Sequence, residues 1–61
     1  MNVRAKFAEL TAGMRTQINL DELVARYGSM KNLYDTEFPG SDIGEFFYEW
    51  DAVKLSIKHD V

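Results

Sequence analysis

The sequence predicts an α+β domain with the element order β-α-α-β, terminal strands paired around a central amphipathic helix; a three-helix bundle is the alternative. Three observations carry this expectation: helical periodicity from Leu20 to Asp35, strict apolar-polar alternation from Val53 to Lys58, and a Pro39-Gly40 turn between them. Over the first stretch Leu20, Leu23, Val24, Tyr27, Met30, Leu33 and Tyr34 recur at the three-and-four spacing of one helical face. Asn19 stands as the N-cap and Glu22 completes a capping-box pattern, with Asp21 and Glu22 also favoured by the helix dipole. Gly28 falls inside this helix at a cost of about 1 kcal/mol relative to alanine, which a close approach to a sheet would explain.

After the turn, Ser41 or Asp42 caps a short helix that carries Ile43, Phe46, Phe47 and Trp50 on one side, and Asp42 with Glu45 repeats the capping-box spacing. Val53-Lys54-Leu55-Ser56-Ile57-Lys58 then reads as a half-buried strand. A helix running on from Ile43 would instead align Trp50, Val53 and Ile57 and leave Leu55 outside. The opening segment has the same ambiguity. Val3, Ala5 and Phe7 alternate with Arg4, Lys6 and Ala8, whereas Val3, Phe7, Leu10 and Met14 fit a helix. Two terminal strands would pair with Val3, Ala5, Phe7, Val53, Leu55 and Ile57 inward and Arg4, Lys6, Lys54 and Lys58 outward.

Sixty-one residues make one small domain, 1–61. At that size folding buries only about 60 % of the unfolded chain's surface. The chain has no cysteine, so disulfides and thiolate metal sites cannot reinforce a thin core. A homo-oligomer is therefore a natural expectation. An apolar content of 46 % with four Phe, three Tyr and one Trp is too rich for a disordered segment. No run of about 18 apolar residues is present, and no apolar stretch follows Arg4 and Lys6, so neither a membrane span nor a secretory leader is expected. A cytoplasmic location is the default.

The formal net charge is −3, yet its distribution says more than its sum. Between Asn32 and Val53 there is no Lys or Arg, while Asp35, Glu37, Asp42, Glu45, Glu49 and Asp51 fall there, interleaved with Tyr34, Phe38, Phe46, Phe47, Tyr48 and Trp50. So many aromatics cannot all be buried in so small a core, and helical phase leaves Tyr48 accessible.

Asn2 to Phe7, reading Asn-Val-Arg-Ala-Lys-Phe, and Val53 to Ile57, reading Val-Lys-Leu-Ser-Ile, resemble segments of short bacteriophage proteins of unknown function. In those proteins an aromatic-rich stretch precedes a late strand, and Glu45 to Trp50 sits in the corresponding place. The resemblance implies strands at both ends, a phage origin, and a bacterial cytoplasm as the setting. It implies no chemistry.

Catalytic sets are missing from the sequence. His59 is the sole histidine and has no second catalytic partner or ligand set beside it. Glu45 and Glu49 lie one helical turn apart, but the ligand spacing of a calcium loop is absent. No enzyme activity, metal or other cofactor is expected. The acidic, aromatic segment instead predicts a protein-interaction module in which Tyr34, Asp35, Glu37, Asp42, Glu45, Tyr48, Glu49 and Asp51 meet a basic surface on a host protein. Aromatics anchor interfaces, and carboxylates steer basic partners toward them. Such a module would suit a phage-encoded inhibitor or modulator, including one that imitates the phosphate spacing of DNA. One alternative is a nucleic-acid or nucleotide-binding module using Arg4, Lys6, Lys54 and Lys58 on the outer sheet face, a reading opposed by the net charge. The other is a structural or assembly subunit.

Overall fold

A computed structural model describes residues 2–59; the side chains of Lys58 and His59 lie outside that description, and with them the expectations placed on those two residues. Four helices follow one another: α1 Val3–Leu10, α2 Gln17–Tyr27, α3 Met30–Glu37 and α4 Ile43–His59. No strand occurs among the described residues, so the β-α-α-β expectation is overturned and the fold is all-α. The three-helix alternative is one helix short. Both segments that resemble the phage proteins, 2–7 and 53–57, lie in helices or their caps.

The opening segment is helical because Asn2 caps it, its side-chain oxygen accepting from the Ala5 amide at 3.0 Å. The helix turns Val3 and Phe7 onto the core, with Leu10 packed beside them. Thr11 closes it: its amide and its hydroxyl both donate to the Phe7 carbonyl, at 2.9 and 2.7 Å.

The N-cap of the second helix is Thr16, not Asn19. Asn19 stands at the third helical position and completes a capping box in which each residue's side chain accepts from the other's backbone amide. Helix α2 also stops sooner than the periodicity suggested. Gly28 lies at φ +95°, its amide donating to the Val24 and Ala25 carbonyls. Ser29 immediately caps α3 by accepting from the Asn32 amide at 3.1 Å. The expected Leu20–Asp35 helix is thus two helices meeting at a glycine corner. The apolar periodicity survives because the corner folds Met30 and Leu33 back onto the same core as Leu20 and Leu23.

Asp42 caps α4, accepting the Glu45 amide at 2.9 Å on its side chain. From there to residue 59 the chain is a single helix of 17 residues, in place of a short helix and a strand. Phe46, Trp50 and Ile57 face inward and Leu55 faces out. Helix α4 is the spine of the domain, with α1 and α2 packed against it and α3 against α2. At its centre Phe46 is ringed by Phe7, Tyr34, Phe38 and Phe47 at centroid distances of 5.0–5.3 Å. No helix among the described residues is long and apolar enough to cross a membrane.

Candidate partner-binding face

The fold brings the cations from the chain ends onto the acidic segment and neutralises much of it. Glu49, expected to face a partner, is 7 % exposed and receives the Arg4 guanidinium Nε at 3.2 Å. Helical phase explains this: Glu49 is three residues from Phe46 and lies at the edge of the buried face, where α1 crosses. That carboxylate in turn raises the Arg4 pKa, chiefly through the hydrogen bond. Asp35 pairs with Lys31 at 2.7 Å one turn away, and Asp51 lies 3.8 Å from Lys54. Asp42 is engaged as the α4 cap. Tyr34 is half-buried, its ring edge-on to Phe46 and its hydroxyl donating to the Ser41 carbonyl. Of the eight residues read as the binding surface, Tyr48 is 69 % exposed, and Asp35, Asp42, Glu45 and Asp51 are exposed as well.

Glu37 ties three helices together. It accepts from the Tyr27 hydroxyl at 2.8 Å and pairs with the Lys6 ammonium at 3.1 Å, linking α3 to α2 and to α1. The Tyr27 hydrogen bond, then the Lys6 hydrogen bond, hold the Glu37 carboxyl below the usual carboxylate range. The same contact raises Tyr27 and Lys6, with burial adding to the rise at Tyr27. A depressed carboxyl contributes stability that is present above its unfolded value, about pH 4.3, and lost as pH falls through the folded value. Raised Tyr27 and Lys6 contribute stability that is lost as pH rises past about 10 through their folded values. Melting temperature measured against pH should therefore fall on both limbs, and Glu37→Gln should flatten both. Wild-type steepness retained in Glu37→Gln would show that the network contributes nothing to folding.

Arg4 and Lys6, with Lys54, were grouped as phosphate contacts on a sheet face that does not exist. Each has a carboxylate within 4 Å instead, Glu49, Glu37 and Asp51 respectively. Among the described residues no cluster of three or more His, Asp or Glu is placed to hold a metal ion.

What sequence reasoning missed is an apolar surface. Ile43 (57 % exposed), Phe47 (45 %), Tyr48 (69 %) and Leu55 (57 %) stand out on α4, with Glu45 and Asp51 among them. Phe47 and Ile43 had been given to the inner face of a short helix, and Leu55 to the inner face of a sheet. The continuous-helix phase of 43–59 is the signal that finds Leu55. Ile18, near the start of α2, is the other large hydrophobic left exposed among the described residues. Between α2 and α4 an open groove of about 490 Å3 is lined by Gln17, Asp51, Lys54 and Leu55. In comparisons with known proteins, no family model, curated protein or solved structure matches this chain.

Proposed function

We propose that the chain is a small protein-interaction module whose binding surface is the outer face of α4. The observation that carries this reading is the concentration of exposed hydrophobics: of the five large ones, four lie on this single helix. Scattered exposed apolar residues are ordinary; here Tyr48 and Leu55 share the outward side of α4, Ile43 and Phe47 lie toward its flank, and charged residues stand among them, a pattern that favours an interaction surface. Tyr48 supplies a rigid amphipathic anchor, and Leu55 an aliphatic one on the same side of the helix. Glu45 beside Tyr48 favours a partner that carries a cation at the edge of an apolar contact. The emphasis moves from charge to apolar anchors because Asp35, Glu37, Glu49 and Asp51 already have cationic partners within the domain. Imitation of a phosphate backbone would draw on those same carboxylates, so it has less support than an apolar contact with acidic edges.

The test is affinity capture followed by measured binding to the captured protein. The double variant Tyr48→Ser with Leu55→Ser should bind at least about tenfold more weakly, since truncating two anchors removes more than 1.4 kcal/mol. Its melting temperature should stay within a few degrees of wild type, because both side chains are exposed. An exposed control on α2, Ala25→Ser, should bind as wild type does. Undiminished binding by the double variant would refute the reading.

A further inference from the structure

We infer that α1 is an exchangeable helix: the site it fills on α3 and α4 also fits the α1 of a second copy of the chain, and Gly13 is the hinge that holds each α1 on its own chain. The inference concerns the inner side of α4 and does not depend on the reading of the outer face. Helix α1 is capped from within its own segment, by Asn2 at the start and Thr11 at the end. Its anchors Val3, Phe7 and Leu10 stand at i, i+4 and i+7, the spacing with which an amphipathic helix fills a groove. The Phe7 ring lies against Phe38, Phe46 and Trp50 at centroid distances of 4.5, 5.3 and 5.9 Å. Both cations of α1 point to the same elements, Arg4 to Glu49 on α4 at 3.2 Å and Lys6 to Glu37 on α3 at 3.1 Å. Among the described residues no ring contact or ion pair ties α1 to α2 or to the connector between them. What recognises α1 is thus separate from what tethers it.

The tether reverses the chain in one turn. The Met14 amide donates to the Thr11 carbonyl at 3.0 Å, and Gly13, third in that turn, lies at φ +83°. Such a position takes glycine because a Cβ disfavours positive φ. Apart from its chain neighbours, nothing comes within 4 Å of where a Cβ on Gly13 would lie, so a side chain there strains the backbone without a clash. Met14, the connector's large apolar side chain, follows the hinge and stays on the core with α2. Opening at Gly13 therefore gives up the turn, while α1 recovers its contacts on a second copy whose own α1 returns them, an exchange that closes as a dimer. The closed monomer and the exchanged dimer differ in the turn and in their dependence on concentration. A residue with a Cβ at position 13 is strained in the monomer and relaxed in the open hinge. The exchanged dimer also carries two outer α4 faces, which makes it bivalent toward any partner of that face.

Refolding from denaturant at millimolar concentration, followed by sedimentation, tests the inference, because exchange requires Phe7 to leave one core for another. Wild type should be recovered mainly as monomer. Gly13→Ala should dimerise at least about tenfold more tightly than wild type, since two hinges are relieved in each dimer. Exchange itself is read by charge. Lys6→Glu and Glu37→Lys, each in the Gly13→Ala background, set like charges between positions 6 and 37 when refolded alone. Refolded together, they match opposite charges at both contacts only when each α1 lies on the other chain. The mixture should yield a one-to-one heterodimer by native mass spectrometry, and it should melt above either variant refolded alone. Where one variant does not fold alone, recovery of its helical circular dichroism on mixing is the same readout. A Gly13→Ala chain no more dimeric than wild type would overturn the inference. So would a mixture that forms no heterodimer, or one that melts no higher than its components, because a dimer built on any outer surface leaves both like-charge contacts in place.

Discussion

Replacing Phe46 with alanine is expected to remove most of the domain's stability, lowering it by about 3–5 kcal/mol, the usual range for a fully enclosed phenylalanine. Phe46 has no exposed surface and touches four other aromatic rings, from α1, α3, the turn after α3, and α4 itself. No neighbour can collapse into its space without breaking contacts on another side, which places the cost toward the upper part of that range. A domain of 61 residues has in total only about 3–9 kcal/mol at 0.05–0.15 kcal/mol per residue. The melting temperature should drop by about 12–40 °C, at 4–8 °C per kcal/mol for a domain of this size. Phe47→Ala, one position along, should cost about 1 kcal/mol, because that ring is nearly half exposed. Circular dichroism on heating reads both. A Phe46→Ala variant that melts within a few degrees of wild type would mean that the aromatic cluster is not the core.

The terminal segments show where pattern alone fails. Three alternating positions, as in Val3, Ala5 and Phe7, are too few to separate a period of 2 from one of 3.6, and the late segment had the same weakness. Two other facts in the sequence discriminate. No Gly or Pro follows Gly44, so nothing provides a turn between the Ile43 helix and a strand beginning at Val53. A sheet of two strands is also marginal in water, so pairing the chain ends would have left the least stable part of the domain to hold its core. Helix α4, by contrast, buries Phe46, Trp50 and Ile57 along one continuous face. Local turn chemistry and the minimum size of a stable sheet outweigh an alternation of six residues.

The proposed binding face was half legible for a related reason. Helical phase within 43–50 does place Tyr48 outward, and Tyr48 is exposed. Clustering of acids along the chain, however, says nothing about which cations the fold delivers to them. Arg4 lies 45 residues from Glu49 in sequence, and only the packing of α1 on α4 joins them. Of the apolar component, Leu55 moves from the inside to the outside because the chain stays helical past Val53, whereas Ile43 and Phe47 stand at the margin of the side that Phe46 and Trp50 bury.

Gly28→Ala separates the two accounts of the central segment by sign. In a continuous Leu20–Asp35 helix the alanine would raise stability by about 1 kcal/mol, because glycine is the poorer helix former. In the structure Gly28 is at φ +95°, a conformation that a Cβ disfavours, and it ends α2 so that Ser29 can begin α3. A Cβ there would also lie 3.2 Å from Asn32 Nδ2, which donates to the Tyr27 carbonyl at 3.0 Å. Either the backbone accepts the strain or the corner opens and that hydrogen bond is disturbed. The variant should therefore be less stable by about 1–3 kcal/mol, the range for a residue held in a sparsely populated backbone region. Its melting temperature should fall by about 4–24 °C. Because the corner aims α3, the loss should be accompanied by weaker contact between Glu37 and its partners Tyr27 and Lys6, visible as a shallower acid limb in the melting profile. A Gly28→Ala domain that melts above wild type would mean that α2 and α3 are one helix and that the corner is absent in solution.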